Sequence, residues 1–187
     1  MNYQIVKANQ FLSSPWSGGN TIELLIYPKN AKYEVRNFDF RISTATVNVE
    51  ESTFTPLPSI TRTLMVLDGQ MTLNHKGHHS KKLGQFDSDY FDGGWKTTSL
   101  GKCTDFNLMT MGKTDGTVES LLVLQDQQVE FSFSENIEHL IFYIYSGEIR
   151  IGNEIIKTGD ILHVENPTES FEIHGIEKCD LIITKIL

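Results

Sequence analysis

Short runs of β-branched and aromatic residues recur along the whole chain, separated by Gly, Asp, Asn and Pro. "TIELLIYP" (21–28), "FRISTATVNV" (40–49), "RTLMVL" (62–67), "QMTLNH" (70–75), "DFNLMTM" (105–111), "LIFYIY" (140–145), "EIRIG" (148–152), "DILHV" (160–164) and "LIITKIL" (181–187) each read as a strand. No stretch of about 12 residues combines i, i+3, i+4 apolar spacing with caps at its ends, so helices are not expected. Many short strands at close spacing predict an all-β fold, a sandwich or barrel.

The pattern also repeats. "VLDGQMTL" (66–73) and "IYSGEIRI" (144–151) share a strand, an x-Gly step and a second strand with alternating apolar positions. Asp68-Gly69 and Ser146-Gly147 are expected to be two-residue hairpin turns, where glycine supplies positive φ. Each copy meets a further glycine, Gly84 or Gly159, before another strand. The repeat predicts two related barrels, residues 1–112 and 113–187, whose terminal strands are open to exchange between the halves. "GKTDGTVESL" (112–121) is the expected connection.

Charge and cysteine content narrow the function classes. The 187 residues carry a formal net charge of -8. That balance argues against nucleic acid, whose phosphates need basic surface, and against an anionic membrane. Cys103 and Cys179 lie far apart and outside any CxxC pair, so neither a disulfide framework nor a zinc knuckle is expected. The N-terminus "MNYQIVKANQFLSS" lacks a charged start followed by an apolar core. No apolar run approaches the roughly 18 residues of a membrane helix. A cytoplasmic location follows as the expectation.

One residue breaks the apolar pattern. Arg62 heads the run Leu64 to Leu67, and a guanidinium inside a core needs water, a carboxylate or a bound anion. "YIYSGEIRIGNEIIKTGDILHV" (143–164) resembles the second half of a cupin, a small antiparallel barrel with a ligand or metal in its mouth. The metal-binding cupin pattern has His-x-His, then a Glu seven residues before the hairpin Gly. Here those Glu positions hold Arg62 and Leu140, and His-x-His is missing from both halves. The resemblance therefore implies no metal at the usual position and no cofactor. A fixed cation stands at Arg62, suited to bidentate contact with a carboxylate.

"PWSGGNTIEL" (15–24), "FRISTATV" (40–47), "TRTLMVLDG" (61–69) and "DFNLM" (105–109), in this order and spacing, are similar to the HutD/Ves family of bicupin proteins. The resemblance implies two cupin barrels and a pocket for a small acid of histidine degradation, such as urocanate or N-formylglutamate. It also implies a regulatory or flux-limiting role. It covers the first 110 residues by motif and the remainder by the cupin pattern.

Strand alternation places the motif residues on shared faces: Thr21 with Glu23, Arg41 with Ser43 and Ala45, Arg62 with Leu64 and Val66, Asp105 with Asn107 and Met109. Two cations then match two anions in one lumen. The expected ligand site takes Arg62 and Arg41 as carboxylate forks, Asn107 and Thr21 as neutral partners, Glu23 and Asp105 as orienters of the arginines, and Trp16 and Met109 as apolar wall. An internal ion pair that binds nothing is the competing reading of each Arg–carboxylate pair, and Trp16 is either a wall or a plug. No catalytic residue is assigned. The alternative function is a metal-free cupin isomerase or epimerase with Glu23 as base; a carboxylate free of the arginines would favour it. A protein-interaction module with a filled barrel is a third class. The expected partner is a small anionic metabolite, with a homodimer kept open. "HKGHH" (75–79) reads as a solvated basic hairpin tip, and His139, His163 and His174 as isolated structural residues.

Overall fold

A computed structural model describes residues 2–133 and 136–187. The chain divides into two units. Residues 11–115, the motif unit, contain β2 (Ser13–Trp16), β3 (Gly19–Tyr27), β4 (Phe40–Val47), β5 (Glu51–Thr53), β6 (Ile60–Gly69), β7 (Met71–His75), β8 (Ser80–Leu83), β9 (Ser88–Asp92), β10 (Thr97–Leu100) and β11 (Cys103–Met111). The terminal unit combines β1 (Asn2–Val6) with β12 (Gly116–Val123), β13 (Gln128–Phe131), β14 (His139–Ser146), β15 (Glu148–Ile151), β16 (Glu154–Lys157), β17 (Ile161–Glu165), β18 (Phe171–Gly175) and β19 (Cys179–Ile186). Residues 2–10 thus lie with the C-terminal strands, because β1 pairs antiparallel along β17 from Asn2↔Glu165 to Val6↔Ile161. No helix of the described residues is long and apolar enough to cross a membrane.

The fold is all-β and antiparallel. The motif unit has a large sheet ordered β2-β3-β4-β11-β6-β9 and a small sheet ordered β5-β10-β7-β8. The terminal unit has β1-β17-β14-β19-β12 and β13-β18-β15-β16. Reading β6 as the counterpart of β14 makes both small sheets and the four shared strands of both large sheets identical in order. The repeat seen in sequence is therefore a repeat of topology.

Burial explains which strands were legible. Along β14, Leu140, Ile141, Phe142 and Ile144 are all buried, and along β4 Phe40 to Thr44 are all buried. Strands covered on both faces read as continuous apolar runs. The nine runs read from the pattern all coincide with strands. Several others are short or polar: β8 is "SKKL", with only Leu83 buried. Residues 116–123 are not a connection but the edge strand β12, whose full-length register with β19 is masked in sequence by mixed polar residues.

The x-Gly steps are not hairpin turns. β6 and β7 lie in different sheets, as do β14 and β15. Leu67 is skipped in the β6–β11 register and Tyr145 in the β14–β19 register, so each strand carries a bulge just before its glycine. Bulges bend and twist a strand, here turning it from one sheet into the facing one. Gly69 (φ 78°) and Gly147 (φ 80°) complete the corner. A Cβ at Gly69 would lie 2.6 Å from the Lys102 carbonyl oxygen, and one at Gly147 2.3 Å from that of Lys178. The following residues, Cys103 and Cys179, are buried at matching places, and burial pushes both thiols up to about 12.

Gly147→Ala is therefore expected to cost on the order of 3 kcal/mol or more, combining left-handed strain with a backbone clash. Gly152→Ala, at φ 55° with nothing within 4 Å, should cost only about 1–2 kcal/mol. Denaturant melts of the two variants check the contrast; equal losses would show that the corner does not depend on close approach.

Candidate functional site

The large sheet of the motif unit aligns the predicted residues in adjacent rows. Arg41 pairs in register with Met109, and Met109 with Arg62, which in turn faces Phe91. The next inward-facing row is Glu23, Ser43, Asn107, Leu64 and Asp89. The row beyond is Thr21, Ala45, Asp105 and Val66. Thr21, Glu23, Arg41, Arg62, Asp105, Asn107 and Met109 thus share one face. Trp16 does not join them. Its row is Gly19 and Val47, six residues along β4 from Arg41, and its ring lies over Gly18. Gly19 brings its backbone so close to β4 that a Cβ would sit 1.7 Å from the Thr46 carbonyl oxygen.

The apolar end of this lumen is filled. Val47, Leu64, Val66, Met71, Leu73, Leu83, Phe91 and Cys103 form one buried cluster. Toward the other end, Met109 packs with Ala31, Phe38, Leu57 and Ile60. The two arginines flank Met109, at a separation of roughly 10 Å set by two strand spacings.

Their environments differ. Arg41 donates from Nε to Glu23 Oε2 at 2.7 Å and from Nη1 to Ser43 Oγ at 3.1 Å, and its guanidinium lies 4.4 Å over the Tyr33 ring. Arg62 donates from Nε to Asn107 Oδ1 at 3.3 Å. Its guanidinium lies 4.7 Å from the centre of Phe54 and 5.4 Å from that of Phe91. Among the described residues Arg62 forms no ion pair, and its terminal nitrogens carry no hydrogen bond. Burial pulls its pKa down to about 10, partly offset by Asp105, so it remains a cation at neutral pH. Gly93 makes room beside it: a Cβ there would lie 3.4 Å from Arg62 Cδ and under 3 Å from two carbonyl oxygens.

Asp105 is the second exposed problem in a buried place. It is 4% accessible, and its Oδ1 has no hydrogen-bond partner. Burial pushes its carboxyl up to about 7, against the pull of the Arg62 charge and an Asn107 hydrogen bond. Glu23, by contrast, is held on Arg41 and its side chain is 41% exposed. The carboxylate free of an arginine is thus Asp105, not the Glu23 nominated from sequence as a base.

Tyr33, Phe54 and Phe91 were not picked out from sequence as site residues. "YFDGGW" (90–95), an aromatic beside a Gly-Gly step, was the available signal for Phe91 and Gly93. The basic hairpin tip is also different from its expectation: His75 is 1% accessible and points inward. It bonds Thr97 Oγ1 through Nδ1 at 2.8 Å and Asp89 Oδ2 through Nε2 at 3.0 Å. In the terminal unit, His139 and His163 are not isolated but lie 3.0 Å apart, Nδ1 to Nε2. A separate open groove of about 660 Å³ crosses the outer side of the small sheet, lined by Ser52, Thr72, Asn74, Thr98 and Glu51 among others. It offers hydroxyls, the Asn74 amide and the Glu51 carboxylate, and no cation.

Known structures share this architecture. A conserved protein of unknown function from Pseudomonas aeruginosa PAO1 superposes with a TM-score of 0.82 at 19% identity, covering 100% of this chain and 99% of that one. HutD from Pseudomonas fluorescens SBW25, in a formate condition, gives 0.75 at 20% identity over 100% of both chains. The bacterial pirin YhhW from Escherichia coli, in complex with nickel(II), gives 0.77 at 10% identity over 98% of both. No curated protein matches the sequence closely. The HutD family model matches residues 8–182, spanning both units, and agrees with the resemblance carried by the four motifs: the chain belongs to the HutD family.

Proposed function

We propose that the motif unit binds a small carboxylic acid on Arg62 and acts as a metabolite-binding, regulatory protein rather than as a catalyst. The observation that carries this reading is the buried Arg62 fork, which has no carboxylate within ion-pair reach among the described residues. A buried cation without a counter-ion is costly, and an acid accepting two parallel N–H bonds offsets that cost. Phe54 and Phe91 offer ring faces to a flat ligand body. Asn107 orients the guanidinium from Oδ1. Arg41, already satisfied by Glu23 and Ser43, contributes positive potential rather than a free fork.

The ligand class follows from charge and shape: one carboxylate for Arg62 and a planar or short polar remainder. Urocanate and N-formylglutamate, intermediates of the histidine degradation to which the family name refers, have this form. A related HutD structure was obtained in a formate condition, and formate is the smallest such acid. Asp105, held neutral below about pH 7 by burial, is an additional donor to a bound anion. One observation favours an enzyme instead: a carboxyl in a lumen with its pKa brought near neutrality is suited to proton transfer. In that case Asp105 would be the acid-base group, and Asp105→Asn would abolish turnover of an acid that the variant still binds.

Arg62→Lys should weaken binding of urocanate or N-formylglutamate about tenfold, and Arg62→Ala more, since a charge-assisted bond in a desolvated site contributes on the order of 1.5–3 kcal/mol. Calorimetry reads the affinity and thermal melts with and without acid read the stability. If Arg62→Ala lowers the melting point while no small acid stabilises the wild type, Arg62 is structural and the reading fails.

Asp105 gives a separate pH test. Its folded pKa lies above its usual value of 3.8, so its favourable contribution is present below about pH 4 and is lost as pH rises through 7. Asp105→Asn should match the wild type at pH 4 and exceed it at pH 8.5 by on the order of 2–4 kcal/mol. Acid binding to the wild type should weaken by up to about tenfold per pH unit above 7, and the variant should lose that dependence. A variant no more stable than the wild type at pH 8.5 would place a charged, well-solvated carboxylate at Asp105.

A further inference from the structure

The hairpin "HKGHH" folds back onto the lumen from the small sheet and assembles a second cluster. His75 Nε2 lies 3.0 Å from Asp89 Oδ2, and His79 Nε2 lies 2.9 Å from the same oxygen. The ligand atoms of the three residues all lie within 4.8 Å of one another. With metal–ligand bonds of about 2.0–2.1 Å, neighbouring donors around one ion sit about 2.9–3.4 Å apart, the spacing that each histidine nitrogen keeps from Asp89 Oδ2. Asp89 Oδ1 is 3.8 Å from Lys81 Nζ, which leaves Oδ2 as the oxygen that faces the two rings.

The partner of the other His75 nitrogen sharpens the case. Thr97 Oγ1 is 2.8 Å from His75 Nδ1 and 3.4 Å from the Trp95 carbonyl oxygen, which can only accept. When the single Thr97 hydroxyl proton goes to that carbonyl, Thr97 accepts from Nδ1–H. In that tautomer the His75 Nε2 lone pair faces the Asp89 carboxylate, where a metal ion or a proton would bridge them; in the other, Thr97 donates to Nδ1 and Nε2–H donates to Asp89 directly. A polar group that receives Nδ1–H while Nε2 faces the ion is how ligating histidines are commonly held in orientation, and the Thr97 hydroxyl is placed to do this. The surroundings are apolar on one side: Phe91 lies 4.4 Å from the His75 ring, and Trp95 is 5.5 Å away with His78 stacked on it at 3.7 Å. The other side is open, because the His79 side chain is 40% accessible.

We propose that His75, His79 and Asp89 form a three-ligand site for a divalent first-row transition ion of the zinc class, entered from the His79 side. Two imidazoles and a carboxylate suit zinc, nickel or iron(II) over calcium or magnesium, which prefer all-oxygen shells. Phe91 neighbours both His75 and Arg62, and the site does not depend on the acid-binding reading. It uses none of the residues of the usual cupin metal position.

The test uses the full chain without an affinity tag, stripped with a chelator and titrated with Zn²⁺ by calorimetry, with Co²⁺ as a spectroscopic probe. One equivalent should bind, raise the melting temperature and give cobalt d–d absorption of a nitrogen/oxygen site, and Mg²⁺ should do none of these. His79→Gln changes a half-exposed side chain and should fold normally, yet weaken Zn²⁺ binding at least about tenfold; Asp89→Asn should abolish the one-equivalent phase. Thr97→Val should weaken it about 10–100-fold without removing a ligand. Failure of the wild type to take up one equivalent overturns the proposal, and so does uptake unchanged in His79→Gln, which would place the ion elsewhere. Acid binding measured on His79→Gln separates this outcome from failure at Arg62.

Discussion

Each unit is held closed at a corner where a strand leaves one sheet for the other. Glycine is required there because the backbone passes within contact distance of a lysine carbonyl, Gly69 against Lys102 and Gly147 against Lys178. The bulge before each glycine turns the strand, and the left-handed glycine completes the crossing. In the motif unit this corner faces the inward row of β6, Arg62, Leu64 and Val66, toward the inward row of β7, Met71, Leu73 and His75. The apolar ends of the two rows meet near the corner and fill the space. Arg62 and His75 stand at the far ends, where the packing is aromatic and polar. A closed apolar end and a polar end therefore follow from one turn of the backbone.

The polar end is organised by unequal satisfaction of charge. Arg41 has a carboxylate, a hydroxyl and a ring face. Arg62 has one amide oxygen and two ring faces, while Asp105 is too far for an ion pair and responds to burial by holding its proton to about pH 7. A structural ion pair would have brought these two together, since breaking apart two buried opposite charges gains nothing for the fold. At the β9 edge of the same sheet the same accounting appears in another form, with Asp89 collecting two histidines and a lysine from the β7–β8 hairpin of the facing sheet.

Much of the fold was legible because the central large-sheet strands are buried on both faces and stand out as apolar runs. The row of Arg41, Arg62, Asp105 and Asn107 was legible because alternation survives along these strands; the bulge that leaves Leu24 unpaired falls after Glu23 and so does not disturb Thr21 or Glu23. Three things were hidden. A corner and a hairpin share the x-Gly signature, and only the skipped partners Leu67 and Tyr145 tell them apart. The pairing of Arg41 with Glu23, rather than of Arg62 with Asp105, depends on side-chain reach across strands. His75 reads as loop tip from its lysine and glycine neighbours, yet it is the last inward position of β7, and its alternation with Leu73 and Met71 was the overlooked sign.

The terminal unit supplies an internal control on the motif unit. The registers of the two large sheets align Leu140 with Arg62, Val164 with Phe91, Leu162 with Asp89, Leu181 with Asp105 and Ile183 with Asn107. All five of these residues in the terminal unit belong to one buried apolar cluster, completed by Phe142, Ile149 and Ile173. The same topology, the same bulge and the same glycine corner thus close around a hydrocarbon interior. Arg62, Asp105, Asn107 and Asp89 are not demanded by the barrel. Burying them costs free energy that leucine and isoleucine at the matching positions do not incur. A fold that can be built without these charges, and in one of its two copies is, carries them in the other at a free-energy cost that the proposed acid and metal sites would account for.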